Sequence, residues 1–287
     1  MEKINKLKSK FKEYNLDGYL IPKNDEFFNE YVPDHKDDLQ YISNFSGSYG
    51  LALVLKKDNF LFVDGRYTVQ ANLQSGKAFK ILKIPIIKNK ISSRLKNKKI
   101  GFDPKLFNEF FIKQFSKKLS IKCISINDNL IKSIKKKQNS LKQKNKFYVL
   151  DKSITGKSCQ EKLKKLKLYI KKNNLDVMLI TSSENVAWLL NIRGKDSNFS
   201  PIPNCFLIVD KYINVFLFCD LEKIDNKFKK KLSFIKFLET NKLEKFLKKI
   251  NNKSFLIDSS TCSIFYRKII KKNNYIIKDI EIINFYK

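Results

Sequence analysis

Histidine and arginine are nearly absent from this chain of 287 residues: the one histidine is His35, and the arginines are Arg66, Arg94, Arg193 and Arg267. A single imidazole in an acidic loop reads as an exposed loop residue rather than a metal ligand. The scarcity of arginine removes the commonest reader of base edges. The five cysteines, Cys123, Cys159, Cys205, Cys219 and Cys262, stand far apart with no C-x-x-C pair, so neither a disulfide framework nor a zinc site is indicated. Apolar runs such as Val215–Cys219 fall far short of the ~20 residues a membrane span needs. Met1–Tyr14 lacks a signal-peptide core; it is a Lys-rich amphipathic helix with Ile4, Leu7, Phe11 and Tyr14 on one face. These absences lead us to expect a soluble, reduced, cytoplasmic protein with no membrane partner.

Lysine is what the chain has in excess. Lys+Arg number 59 against 28 Asp+Glu, a formal net charge of +31. A field of that size would draw the chain toward nucleic acid or anionic membrane. The lysines come with many Asn, Ile, Phe and Tyr, the residues an AT-biased genome favours, and they are spread over the whole chain. The reading adopted is a solvated surface enlarged by codon drift. A lysine-rich polyanion- or nucleic-acid-binding module is the alternative, but no helix-turn-helix, zinc-finger or RNP-like block is present, so no specific nucleic-acid partner is expected.

The chain repeats itself. Asn15-Leu16-Asp17-Gly18-Tyr19-Leu20-Ile21-Pro22 returns as Asn174-Leu175-Asp176-Val177-Met178-Leu179-Ile180-Thr181, and Tyr41–Gly47 returns as Trp188–Gly194. Leu53–Tyr67, with Phe62-Val63-Asp64-Gly65-Arg66-Tyr67, returns as Leu207–Lys223 with Phe218-Cys219-Asp220. The first copy carries about a dozen extra residues around Asn24–Lys36. A period of roughly 150 residues is the size of a domain rather than of a solenoid repeat. Two domains of one fold are therefore expected, 1–140 and 141–287.

Within each half strands and helices alternate, which gives an α/β class with a mixed sheet flanked by helices. Gly18–Pro22 reads as a buried strand after the first helix. Asn24–Asp38 is a loop and Leu39–Phe45 a brief helix. Leu51–Leu55 and Phe60–Val63 read as hairpin strands, followed by a helix Thr68–Ser75 that stops at Gly76. Phe79–Ile87 and Lys99–Phe102 read as strands on either side of a helix at Ile91–Lys96. Asp103-Pro104 reads as an N-cap and first position of a helix to about Lys118, with Leu106, Phe107, Phe110, Phe111 and Phe115 apolar. A strand near Cys123–Ile126 and a short helix lead to a linker, Lys132–Lys146.

Gly156-Lys157-Ser158 resembles the end of a phosphate-binding loop, but G-x-x-x-x-G-K-S requires glycine where Asp151 stands. Ser158 and Glu161 instead form a capping box for a helix Cys159–Lys172. Strand Val177–Thr181, helix Val186–Leu190, strands Phe206–Val209 and Val215–Cys219, helix Lys242–Ile250 and strand Ser254–Asp258 follow. A further helix is expected to open near Ser259–Ser260.

Several blocks carry a family resemblance. Asp25-x-x-x-x-Glu30-Tyr31, Phe45-Ser46-Gly47-Ser48-Tyr49-Gly50, Asp64-Gly65-Arg66-Tyr67 and Gln70-Ala71 resemble the N-terminal domain of the three-domain cytosolic Xaa-Pro aminopeptidases (aminopeptidase P). Thr155-Gly156 and Glu184-x-x-Ala187-Trp188-Leu189-Leu190-Asn191-Ile192-Arg193-Gly194-x-Asp196 resemble that family's second domain. The resemblance covers nearly the whole chain and implies two tandem creatinase N-terminal-like domains. It departs at Phe27, where the family often has histidine, and at Tyr49, which replaces a small residue.

The resemblance also implies what is not here. In the family a C-terminal pita-bread domain holds two metal ions, usually manganese, through two Asp, one His and two Glu. This chain reaches Asn284-Phe285-Tyr286-Lys287 about where that domain would start, and one histidine cannot assemble the set. No catalytic residue, metal site or cofactor is therefore expected in this chain, and it is expected to be inactive alone. It would be the non-catalytic N-terminal part of an Xaa-Pro aminopeptidase, serving substrate access and oligomerisation, or else a degenerate product. Its partners would be a peptide with proline at the second position, if a catalytic domain is supplied, and further copies of itself or a split-enzyme chain.

The family assigns one peptide contact to the first domain, and it maps onto Arg66. A guanidinium is a permanent cation whose planar fork suits a carbonyl or carboxylate. The competing reading is that Arg66 ends a strand and pairs with Asp64. Arg193 and Trp188, in the second copy, read as structural.

Overall fold

Short runs of Leu, Val, Ile and Phe bounded by turn residues become strands, and the longer Lys-rich amphipathic stretches become the helices that cover them. The computed structural model describes residues 1–84, 91–135, 145–197 and 199–279. The chain divides into two compact units, Met1–Ser140 and Leu141–Lys287. Part of the expected linker, 136–144, and part of the expected strand Phe79–Ile87, 85–90, lie outside the described residues.

The first unit runs α1 (Glu2–Lys10), β1 (Gly18–Pro22), α2 (Asp38–Ser43), β2 (Gly50–Leu55), β3 (Asn59–Val63), α3 (Thr68–Ser75), β4 (Lys80–Lys83), α4 (Ser92–Leu95), β5 (Lys99–Phe102), α5 (Glu109–Leu119), β6 (Lys122–Ser125) and α6 (Leu130–Ile134). The sheet order is β4-β3-β2-β1-β5-β6. β2 is antiparallel to both β1 and β3, and the remaining pairs are parallel. Every residue of β1 is buried. A central strand covered on both faces reads in sequence as an unbroken apolar run, which is what Gly18–Pro22 is. On one face Ile4 and Leu7 of α1 and Phe11 at its C-cap meet Tyr19, Ile21, Ala52 and Val54. On the other, Phe107, Phe111 and Phe115 stack at 5.6 Å intervals, and Phe115 meets Phe62 edge-on.

The second unit runs β7 (Tyr148–Val149), α7 (Lys152–Thr155), α8 (Cys159–Lys172), β8 (Val177–Ile180), α9 (Ser183–Leu190), β9 (Ile192–Arg193), β10 (Phe206–Asp210), β11 (Val215–Cys219), α10 (Asn226–Lys231), β12 (Ile235–Glu239), α11 (Leu243–Lys248), β13 (Ser254–Ile257), α12 (Ile264–Asn273) and β14 (Tyr275–Asp279). Its large sheet has the order β12-β11-β10-β8-β13-β14, with parallel and antiparallel pairs where the first unit has them. β7 and β9 form a small antiparallel pair beside it.

The correspondence extends to single hydrogen bonds. Asp17 accepts from the Lys99 amide at 2.9 Å and pairs with Lys56; Asp176 accepts from the Ser254 amide at 3.0 Å and pairs with Lys211. Each aspartate thereby ties its central strand to the parallel neighbour and to the hairpin.

Two helices begin later than expected, for one reason. Asp103 uses its carboxylate on the Lys105 amide (2.9 Å), closing a turn after β5, and α5 opens only at Glu109, where Asn108 accepts from the Phe111 amide at 2.8 Å. Likewise Asp258 is taken by Ser260, and α12 opens at Ile264 under Ser263 rather than near Ser259–Ser260. Phe110, expected on the apolar face of α5, is 66% exposed. Gly76 does end α3, but in the right-handed region, so the left-handed freedom of glycine is not used there.

Candidate functional site

Arg66 sits where β3 ends. Asp64 caps the tight turn Gly65–Tyr67 by accepting from the Arg66 amide at 2.9 Å. The guanidinium folds back on the same carboxylate, Nε donating to Oδ1 at 3.0 Å and Nη2 to Oδ2 at 3.3 Å. These bonds hold the Asp64 carboxyl below its ordinary range and raise Arg66 above its own. The local pairing is therefore present, but the Arg66 side chain is 74% exposed, so the pair contributes little to stability. Of the five guanidinium donors the pair uses those on one edge. Among the described residues the remaining donors have no hydrogen-bond partner, and a Cβ built on the neighbouring Gly65 would have nothing within 4 Å.

The platform beneath the arginine is ordered. Its guanidinium carbon lies 5.5 Å from the Tyr67 ring centroid, Tyr67 Oη and Ser48 Oγ are 2.9 Å apart, and the Tyr67 ring meets Phe45 edge-on at 5.8 Å. Tyr49 is exposed beside this turn, whereas Phe27 is buried under the Lys36 ammonium. An exposed cation on a rigid aromatic base can take a carbonyl or carboxylate from outside.

The other singled-out residues are used inside their own units. Arg193 donates through Nη1 to the Ala187 and Ile192 carbonyls, at 3.3 and 2.8 Å, at the end of α9. Trp188 packs partly buried against the core. His35 is exposed in the turn Asp34–Lys36. Gly156 ends α7 at φ 71°, and Ser158 with Glu161 forms the capping box of α8, so this stretch is helix punctuation.

One residue escaped the sequence reading. Lys162 is 4% exposed, and its Nζ donates to the Trp188 carbonyl at 2.6 Å and to Asn191 Oδ1 at 2.5 Å, with the Trp188 ring centroid 4.1 Å away. Burial lowers its pKa, while the carbonyl end of α9 favours the cation. Its position directly before the buried Leu163, among many solvated lysines of α8, gave no distinguishing signal.

Among the described residues no group of three or more His, Cys, Asp or Glu is arranged to hold a metal ion. Nor is any helix of the described residues long and apolar enough to cross a membrane.

Comparison with known proteins agrees with the duplicated fold. The creatinase/prolidase N-terminal domain matches residues 3–134, and a second model of the same description matches residues 138–287. Xaa-Pro aminopeptidase 1 of Dictyostelium discoideum is 32% identical over 247 residues, 80% of this chain and 39% of that protein. A probable Xaa-Pro aminopeptidase P of Laccaria bicolor is 28% identical over 96% of this chain and 45% of its own length. The crystal structure of the X-prolyl aminopeptidase from Caenorhabditis elegans, described as a cytosolic enzyme with a di-nuclear active site, superposes with a TM-score of 0.85 at 25% identity. That match covers 98% of this chain and 50% of the worm protein. The chain thus spans half or less of the length of these relatives, and with both of its units matched it belongs to the creatinase/prolidase N-terminal domain family, in the tandem form carried by Xaa-Pro aminopeptidases.

Proposed function

We propose that this chain serves as the two-domain, non-catalytic N-terminal part of an Xaa-Pro aminopeptidase in the cytoplasm, and that Arg66 contacts the peptide substrate from the rim of an active site supplied by other residues. The observation that carries this reading is the superposition of 98% of the chain on half of an X-prolyl aminopeptidase. The remaining donors of the Arg66 fork support the contact, because they can donate to a peptide carbonyl or carboxylate without breaking the Asp64 pair. In this reading the substrate has proline at its second position. The partner is the polypeptide that holds the metal pair, and self-association of this chain can bring further copies to it. The units 1–140 and 141–287 act as separate domains.

The test is reconstitution. The C-terminal part of the Dictyostelium enzyme, produced with manganese, is mixed with this chain, and release of the N-terminal residue from an X-Pro peptide is followed. The expected result is stimulation by the native chain. Arg66→Ala should lower kcat/KM by about 10- to 150-fold, the loss of one charge-assisted hydrogen bond, and Arg66→Lys should recover only part. Unchanged turnover with a lowered Tm for Arg66→Ala would make the arginine structural.

A further inference from the structure

The first unit contains a groove of about 890 Å³ between α1, the turn at Asp34–Lys36, α2 and the end of α6. Five lysines, Lys3, Lys6, Lys36, Lys132 and Lys135, line it against three carboxylates, Glu2, Asp34 and Asp37, together with the Tyr41 ring and His35. The Lys3 and Lys135 ammoniums lie 4.6 and 5.1 Å from the Tyr41 ring centroid. Two of the lining's carboxylates, Glu2 and Asp37, are engaged, and so are three of its cations: Lys6 with Glu2, Lys36 with Glu26 at 2.7 Å and Lys135 with Asp38 at 2.8 Å. Glu2 pairs with Lys6 at 2.5 Å, while Asp37 pairs with the buried Lys23 and caps α2. Among the described residues neither Lys3 nor Lys132 has a carboxylate in ion-pair range, and both are exposed.

The second unit shows what this place looks like when it is filled. Ile4 and Leu7 of α1 and Phe11 at its C-cap match Leu163, Leu166 and Ile170 of α8, so Lys3 corresponds to Lys162, Tyr41 to Trp188 and Asn44 to Asn191. There the lysine is buried on the tryptophan, and the Asn191 amide donates to Thr155 Oγ1 at 3.1 Å and to the Lys157 carbonyl at 2.8 Å. In the first unit Asn44 lines the open groove instead.

We propose that this groove binds a small polyphosphate anion, with Lys3 and Lys132 as the cations that contact its phosphates. Lysine ammoniums are point charges with rotatable donors, which suits phosphate oxygens approaching from several directions. The cations are spread around a space of about 890 Å³, so an anion with more than one phosphate can meet several of them at once. The field in the groove is already felt by His35: partial burial first, then Lys36 and Lys135, lower its pKa, with Glu26 and Asp34 opposing. A bound polyphosphate reverses the sign of that field and raises the His35 pKa.

Because His35 is the only histidine, its imidazole gives a single magnetic-resonance signal to titrate. Tripolyphosphate is added to the full chain at constant ionic strength, and affinity is measured by calorimetry alongside the His35 titration. The expected result is one-site binding with the His35 midpoint moved upward. The double variant Lys3→Gln, Lys132→Gln should bind about 10-fold or more weakly, while Lys164→Gln, an exposed lysine of α8, should bind as the native chain does. The proposal is overturned if saturating tripolyphosphate leaves the His35 midpoint unmoved, if the double variant binds with native affinity, or if sulfate at the same ionic strength acts equally. The assay does not involve Arg66 or peptide turnover, so either reading can fail without the other.

Discussion

Six of the nine non-glycine residues with positive φ among the described residues are asparagines, and they fall in three matching pairs. Asn15 and Asn174 precede the tying aspartates, Asn44 and Asn191 end α2 and α9, and Asn97 and Asn252 lead into β5 and β13. Left-handed backbone strains residues with a Cβ, but asparagine tolerates it better than most. In a chain with only 8 glycines it takes over that duty. Asn174→Ala should therefore destabilise the second unit by about 1–2 kcal/mol in urea denaturation, whereas Asn174→Gly should cost much less. Equal losses would show that the side chain, not φ, matters. A second residue-scale outcome concerns Glu161. The hydrogen bond from Lys152, then those from the Ser158 amide and hydroxyl, push its pKa down to about 2. Since the folded value lies below the unfolded one, the stability it contributes is complete above the ordinary glutamate range and is lost as pH falls toward about 2. Glu161→Gln should melt below the native chain at pH 6 and together with it at pH 2; parallel melting curves would remove the assignment. At this scale the capping box was legible because both of its partners are local. Lys162 was not, because its partners, Trp188 and Asn191, come from a distant helix end.

At the scale of elements, legibility followed burial. The hairpins β2–β3 and β10–β11 are apolar runs separated by polar turns, and both could be read directly. β12 and β14 could not: they are flanking strands, and Ile235–Glu239 is buried only at its first residue, so neither period nor continuity marks it. The late starts of α5 and α12 misled for a different reason. An aspartate after a strand has the chemistry of an N-cap, but here it is consumed by the turn that leaves the sheet, and the cap follows at Asn108 or Ser263. Asn108→Ala should cost about 1 kcal/mol and Asn108→Gly only a few tenths, as a true N-cap does. Chemical denaturation decides it, and an unaffected midpoint for Asn108→Ala would return the helix start to Asp103-Pro104.

At the scale of the molecule, the duplication makes each unit a control for the other. The shared sheet order and the shared aspartate ties show what the fold requires. The capped turn after the hairpin is shared too, Asp220 accepting from the Glu222 amide as Asp64 does from that of Arg66; the Arg66 side chain on that turn and the lysine groove are what the first unit adds. If the two units are separate domains, fragments 1–140 and 141–287 should each give a native-like helix and strand signal and a single cooperative melt. A fragment that stays unfolded alone would deny its independence. The sheet order also governs how each unit is made. β1 sits in the middle, but its parallel neighbour arrives late: Asp17 and its partner Lys99 are 82 residues apart, and Asp176 and Ser254 are 78 apart. Translation at about 5–20 residues per second needs roughly 4–16 s to cover such a distance. During that interval the hairpin can cover only one side of β1. A strand buried along its whole length in the finished unit is thus left by the ribosome for seconds with an open edge.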